Sequence, residues 1–210
     1  MIFADRQDAG RQLAQALSAY KGRKPLILAI PRGAVPMGKT IADLLQGELD
    51  VVLVRKLTSP YSSEFALGAI DESGWAYIAD YAASAGGTPE YLEREKQRQM
   101  ATLKERRAQY TPLRPPIDPA GRIAIVIDDG LATGSTMIAA LHATRAKNPA
   151  RLICAVPVSP PDTLEKIRPL CDELVCLHTP WDFRAVGQFY ADFNQVSDDE
   201  VVEILRQQPS

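Results

Sequence analysis

The chain has 210 residues, 46% of them apolar and 24% charged, a balance that supplies one sizeable core and suits a single domain. Its 24 basic and 26 acidic side chains leave a net charge of -2, which argues against a broad nucleic-acid-binding face. No stretch approaches the ~18 apolar residues of a membrane span. The opening residues MIFADRQDAGRQ lack the apolar segment of an export signal, so a cytoplasmic protein is expected. Three cysteines, Cys154, Cys171 and Cys176, are an odd number without CxxC spacing, which fits reduced thiols.

Leu13, Ala16, Leu17 and Tyr20 recur at helical spacing and predict a helix over 6–20. Leu26-Ile27-Leu28-Ala29-Ile30, stopped by Pro31-Arg32-Gly33, is the pattern of a buried strand. A helix follows over 35–45, and a second buried strand over 50–55. This β-loop-α-β opening requires a right-handed crossover and a parallel sheet. The rhythm then changes. Residues 57–64 are polar and rich in turn formers, and apolar segments at 66–70 and 75–79 flank Asp71-Glu72-Ser73-Gly74 as a hairpin would. Pro89 starts a long charged helix over 90–110, and a proline-rich linker covers 111–119. The helix mixes Glu93, Arg94, Arg98, Lys104 and Arg106 and reads as solvated or facing a second copy in a homodimer. Residues 57–119 therefore form a flexible loop, hairpin and inserted helix lying over the sheet. Strands at 123–127, 151–156 and 173–177 alternate with helices at 135–146 and 162–168, and residues 178–210 form a hood or tail. The class is α/β, with a doubly wound, mostly parallel sheet.

The sharpest local feature is IVIDDGLATGSTM, residues 125–137. A buried strand ends in Asp128 and Asp129, and Ala132, Thr133, Gly134, Ser135 and Thr136 then lead into a helix. A helix start offers unpaired amides and partial positive charge to a phosphate. Two carboxylates repel phosphate but suit neutral hydroxyls or a cation. Phosphate at one end and vicinal hydroxyls at the other describe ribose 5-phosphate. Each half alone has a plainer explanation, with Thr133 or Ser135 capping the helix. The two halves in this order favour the ligand.

These residues resemble the 5-phosphoribosyl 1-diphosphate (PRPP) motif of the type I phosphoribosyltransferases, with Gly130 standing where members usually carry an apolar residue. Pro31-Arg32-Gly33-Ala34 is similar to the family's pyrophosphate loop, and Val54-Arg55-Lys56 to the start of the loop that closes over PRPP. The resemblance covers residues 25–180 and implies transfer of phosphoribose from PRPP to a nitrogenous acceptor, such as a nucleobase, with magnesium carried by the ligand. It implies that Asp128 and Asp129 hold the ribose hydroxyls and that residues 132–136 hold the 5-phosphate. Arg32, Gly33 and Arg55 would hold the pyrophosphate, with Lys56 beside them. It also raises the question of a non-proline cis peptide near Arg32. Residues 56–65 would be the lid that excludes water, with Gly68 as a hinge; an ordinary hairpin connection is the alternative.

The acceptor is harder to read. Ala132 stands where enzymes for 6-oxopurines carry an aspartate, and Val158-Ser159-Pro160 where they carry a lysine. LATGSTM is closer to the adenine enzymes. Trp181 or Phe183 would stack on a base, or else pack the tail onto the sheet. His142 and His178 lack companions at metal-ligand spacing and read as structural. A PRPP-sensing regulator without catalysis is the alternative function. The pattern G-x-x-x-x-G-K-[ST] is absent, which argues against a P-loop nucleotidase.

Overall fold

The computed structural model of the chain describes residues 1–112 and 115–208. Five parallel strands, β1 (Leu26–Ala29), β2 (Glu48–Val51), β6 (Ile123–Ile127), β7 (Arg151–Val158) and β8 (Glu173–His178), form one sheet in the order β2-β1-β6-β7-β8. Helices α1 (Arg6–Ala16), α2 (Ala34–Leu45), α4 (Ser135–Arg145), α5 (Pro161–Ile167) and α6 (Asp198–Arg206) surround it. Successive side chains of a strand point to opposite faces, and here both faces are buried. Ile27, Ala29, Ile125, Ile127 and Ile153 pack with α1 and α2, while Leu28, Val126, Cys154 and Val156 pack with α4. Each Val, Leu or Ile among them is worth roughly 1.5–3 kcal/mol on burial, which is why these strands read as unbroken apolar runs.

The chain leaves β1 in one direction to β2 and later returns on the other side as β6. This is a topological switch point, where open α/β sheets place their ligands. Ala29 pairs with Ile127, so β1 and β6 end together. The loops beginning at Pro31 and Asp128 therefore emerge side by side.

The inserted region is a second sheet. β3 (Val54–Ser59), β4 (Ser62–Asp71) and β5 (Ala76–Ile78) are antiparallel in the order β3-β4-β5, and α3 (Pro89–Tyr110) lies against them. This corrects the strand expected over 50–55. Val52 N bonds to Ala29 O (3.1 Å) as the last tie to the first sheet, and Val54 already pairs with Asp71. A continuous apolar run does not mark where the backbone changes partners. The loop expected at 57–64 is likewise the β3–β4 hairpin. Gly68 is no hinge: it sits inside β4, paired with Leu57 and Ile78, where a Cβ would overlap the Tyr77 carbonyl. Within the linker expected at 111–119, residues 113 and 114 lie outside the described residues, as do 209 and 210 of the tail.

α3 is not merely solvated. Its inner stripe starts polar and turns apolar: Glu95 and Gln99 are buried, followed by Leu103 and Tyr110. Glu95 Oε1 accepts bonds from Thr58 N and Oγ1 (both 3.3 Å), and Tyr91 OH donates to Thr58 O (2.5 Å). This network clamps the helix on β3. Among the described residues no helix is long and apolar enough to cross a membrane.

Candidate active site

β6 runs between β1 and β7, and its C-terminal end delivers Asp128 and Asp129 to the sheet's rim. The loop beyond is tied down on two sides, by Leu131 N to Val158 O (2.9 Å) and by Thr163 Oγ1 to Ala132 O (2.6 Å). Gly134 then caps α4 with a left-handed φ of 79°, a conformation glycine adopts cheaply. It makes no side-chain capping bond. Thr133 Oγ1 reaches Ser135 N only at 3.5 Å, and the two hydroxyls lie 3.1 Å apart. The helix start thus combines weakly capped amides with two hydroxyls, which suits an anion better than a simple N-cap does.

Opposite this loop lies Pro31-Arg32-Gly33, and the Pro31–Arg32 peptide is cis. A Cβ at Gly33 would overlap Asp129 Oδ2, so the close approach of the two loops requires glycine. Asp129 is also gripped by Arg6 of α1, whose Nε lies 3.0 Å from Oδ2. The Arg6 guanidinium lies over Phe193 (4.1 Å) and donates to Asn194 O (2.5 Å), while Tyr190 OH donates to Asp129 O (2.7 Å). The C-terminal segment and α1 together fix the second acid.

The two carboxyls are electrostatically unequal. Asp128 is pushed well above the usual carboxylate range, first by loss of hydration and then by the charge of Asp129, with Lys56 opposing. Burial also raises Asp129, but Arg6 opposes it through charge and hydrogen bonding.

Two contiguous clefts result. One, of about 270 Å³, is lined by Asp128, Asp129, residues 130–136, Gly33, Lys56 and Val186. The other, of about 630 Å³, is lined by Arg32, Arg55, Lys56, Glu64, Arg98 and Arg106, among others. Ile30, Pro31, Lys56 and Thr136 belong to both. Arg55 Nε donates to Gln99 Oε1 (2.9 Å), and its pKa is lowered by burial and by the like charges of Arg106 and Arg32. Arg32 Nη1 lies 3.9 Å from Asp198 Oδ2 at the start of α6.

The family model of the phosphoribosyl transferase domain matches residues 4–194. The chain belongs to this family. A protein of Mycobacterium tuberculosis strain H37Rv, named provisionally as a phosphoribosyl transferase, is 42% identical over 207 residues, 97% of this chain and 46% of its own length. A protein of strain CDC 1551 with the same provisional name matches equally. The chain thus spans about half the length of these curated relatives. The crystal structure of TT1426 from Thermus thermophilus is 43% identical, with a TM-score of 0.81 over 98% of both chains. The span matched by the family takes in every residue of both clefts.

The fold brings together Arg32, Gly33, Arg55, Lys56, Asp128, Asp129, Ala132, Thr133, Gly134, Ser135 and Thr136 around these clefts. It does not bring in the two expected aromatic residues. Trp181 is 91% exposed and lines neither cleft, and Phe183 stacks on Phe189 (5.6 Å, 22°). Phe183 belongs to the tail packing weighed as the alternative, whereas Trp181 stands in solvent and does neither. His142 stacks on Trp75 (3.6 Å) and His178 meets Phe189 edge-on. Gly130 has a packing role: a Cβ there would lie 2.6 Å from Val186 Cγ1 and 2.9 Å from Val158 Cγ1. The family's usual apolar side chain would push the hood away. Sequence reasoning missed Arg6, Tyr190, Gln99 and Arg106. The spacing of Glu95, Gln99 and Leu103, one helical turn apart, is the signal that could have shown which face of α3 turns inward.

Proposed function

We propose that the protein transfers the 5-phosphoribosyl group of PRPP to a nitrogenous acceptor, a nucleobase, and releases pyrophosphate. The carrying observation is the contiguity of the two clefts, one pairing carboxyls with a helix start and the other lined by cations. A ribose phosphate bearing a pyrophosphate has this order of groups. In this reading the loop 132–136 binds the 5-phosphate through amides and hydroxyls. Asp128 and Asp129 accept hydrogen bonds from the ribose hydroxyls, with Arg6 and Tyr190 holding Asp129 in position. Arg32, Gly33, Arg55 and Lys56 take the pyrophosphate.

Transfer breaks the bond between ribose C1 and the pyrophosphate oxygen, whose electron pair leaves with pyrophosphate. The acceptor nitrogen forms the new bond to C1 and gives up its proton. Positive charge grows on the sugar near Asp128 and Asp129, and negative charge on the leaving group near the guanidinia, so fixed charges oppose both. The donor set fits magnesium: the substrate's own oxygens would supply most of the ligands of this hard cation, and Asp128, the carboxylate not engaged by Arg6, would help to hold it. Bound there, it would neutralise leaving-group charge. Water is excluded by the β3–β4 hairpin, which carries Arg55 and Lys56 at its base.

The test is pyrophosphate release from PRPP and magnesium across a panel of nucleobases. The expected result is release with at least one base, lost in Asp129→Asn. PRPP binding without turnover of any base identifies a sensor instead. No heat on mixing PRPP and magnesium with the protein overturns the reading.

A further inference from the structure

The larger cleft holds more positive charge than residues 31–33 and 54–56 supply. Arg98 and Arg106 come from α3, one face of which reaches the cleft beside Arg32 and Arg55. Arg98 is committed elsewhere, since it is ion-paired to the buried Glu95. Arg106 is not: among the described residues neither it nor Arg55 forms an ion pair. Arg106 is the largest like-charge influence on Arg55, ahead of Arg32. Gln99, also on α3, orients the Arg55 guanidinium. Among the described residues the one acid lining the cleft, Glu64, sits on the exposed part of the hairpin. Guanidinia gathered this way repel one another unless an anion lies between them. A fork of donors matches phosphoryl oxygens bidentately.

We propose that Arg106 is a third guanidinium of the pyrophosphate subsite, so that the inserted helix α3 is part of the substrate cleft. The assignment rests on the transferase reading above for the identity of the anion. Inorganic pyrophosphate and ribose 5-phosphate, titrated separately into the full chain by calorimetry, divide the two ideas. In Arg106→Gln, pyrophosphate affinity falls about 10–100-fold, the range of a hydrogen bond to a charged group, while ribose 5-phosphate binding stays at the wild-type level. Arg106→Lys keeps the charge without the fork and falls between. Lys104→Gln, an exposed change on the same helix, leaves both affinities unchanged. The melting temperature of the ligand-free Arg106→Gln protein rises, because repulsion with Arg55 and Arg32 is relieved; loss of a merely structural residue would lower it. Wild-type pyrophosphate affinity in both Arg106 variants overturns the proposal. Failure of the wild-type protein to bind either PRPP or ribose 5-phosphate overturns the transferase reading instead, and an Arg106-dependent pyrophosphate affinity would survive it.

Discussion

The two clefts are built in different ways. The smaller one is made by backbone: strand ends β1 and β6, a left-handed glycine and a helix start, all set by the parallel sheet. The larger one is made by long side chains, two of them borrowed from a helix held against β3 by Glu95, Gln99 and Tyr91. A backbone site is fixed by packing and tolerates no added atom. A side-chain site is fixed by polar clamps and can be retuned one charge at a time.

The sharpest way to break this contrast is Gly33→Val. The new side chain would displace Asp129 and its loop, and PRPP affinity should fall by about 100-fold or more, as expected when positioned groups move by an ångström. Titration calorimetry would show it; unchanged affinity means that the loops do not need their close approach. Gly130→Val tests the same rigidity through stability. Collision with Val186 and Val158 should cost about 1–3 kcal/mol in urea unfolding, the usual cost of overpacking. Glu95→Ala probes the clamp in the side-chain region. It strands Thr58 N and should cost about 1–3 kcal/mol, with pyrophosphate binding weakened more than ribose 5-phosphate binding.

Much of the first region was legible in the amino-acid sequence. Strands buried on both faces give apolar runs, and Asp128-Asp129 with Thr133-Gly134-Ser135-Thr136 mark one rim by local order alone. The second region was not. Val52-Leu53 continue the run of β2 while the backbone moves to another sheet, and the inward stripe of α3 opens with glutamate and glutamine, which pattern as surface. Arg6 and Tyr190 reach Asp129 from opposite ends of the chain, a contact that only the sheet order creates. Trp181 and Phe183 show the reverse error: aromatic residues near a site in sequence need not line it.

Smaller effects separate the two acids. Asp128 is raised in the folded protein, so the fold binds its proton more tightly than the unfolded chain does. Stability tied to this group is therefore present at low pH and declines as pH rises above the ordinary carboxylate value through the raised one. Asp128→Asn should make the ligand-free protein more stable at neutral pH and flatten that decline, measured as melting temperature against pH. A loss of stability would mean that Asp128 is held by partners other than its crowding. The smallest change expected is at the exposed pair Lys39–Asp43 on α2, where Lys39→Ala should shift stability by no more than about 0.5 kcal/mol and leave ligand binding alone.

The central claim is that both clefts serve one molecule. Competition calorimetry on the wild-type protein tests it most directly. The account predicts that PRPP with magnesium binds more tightly than ribose 5-phosphate or pyrophosphate and that prior saturation with either fragment weakens it. PRPP binding no tighter than ribose 5-phosphate and indifferent to pyrophosphate would contradict it.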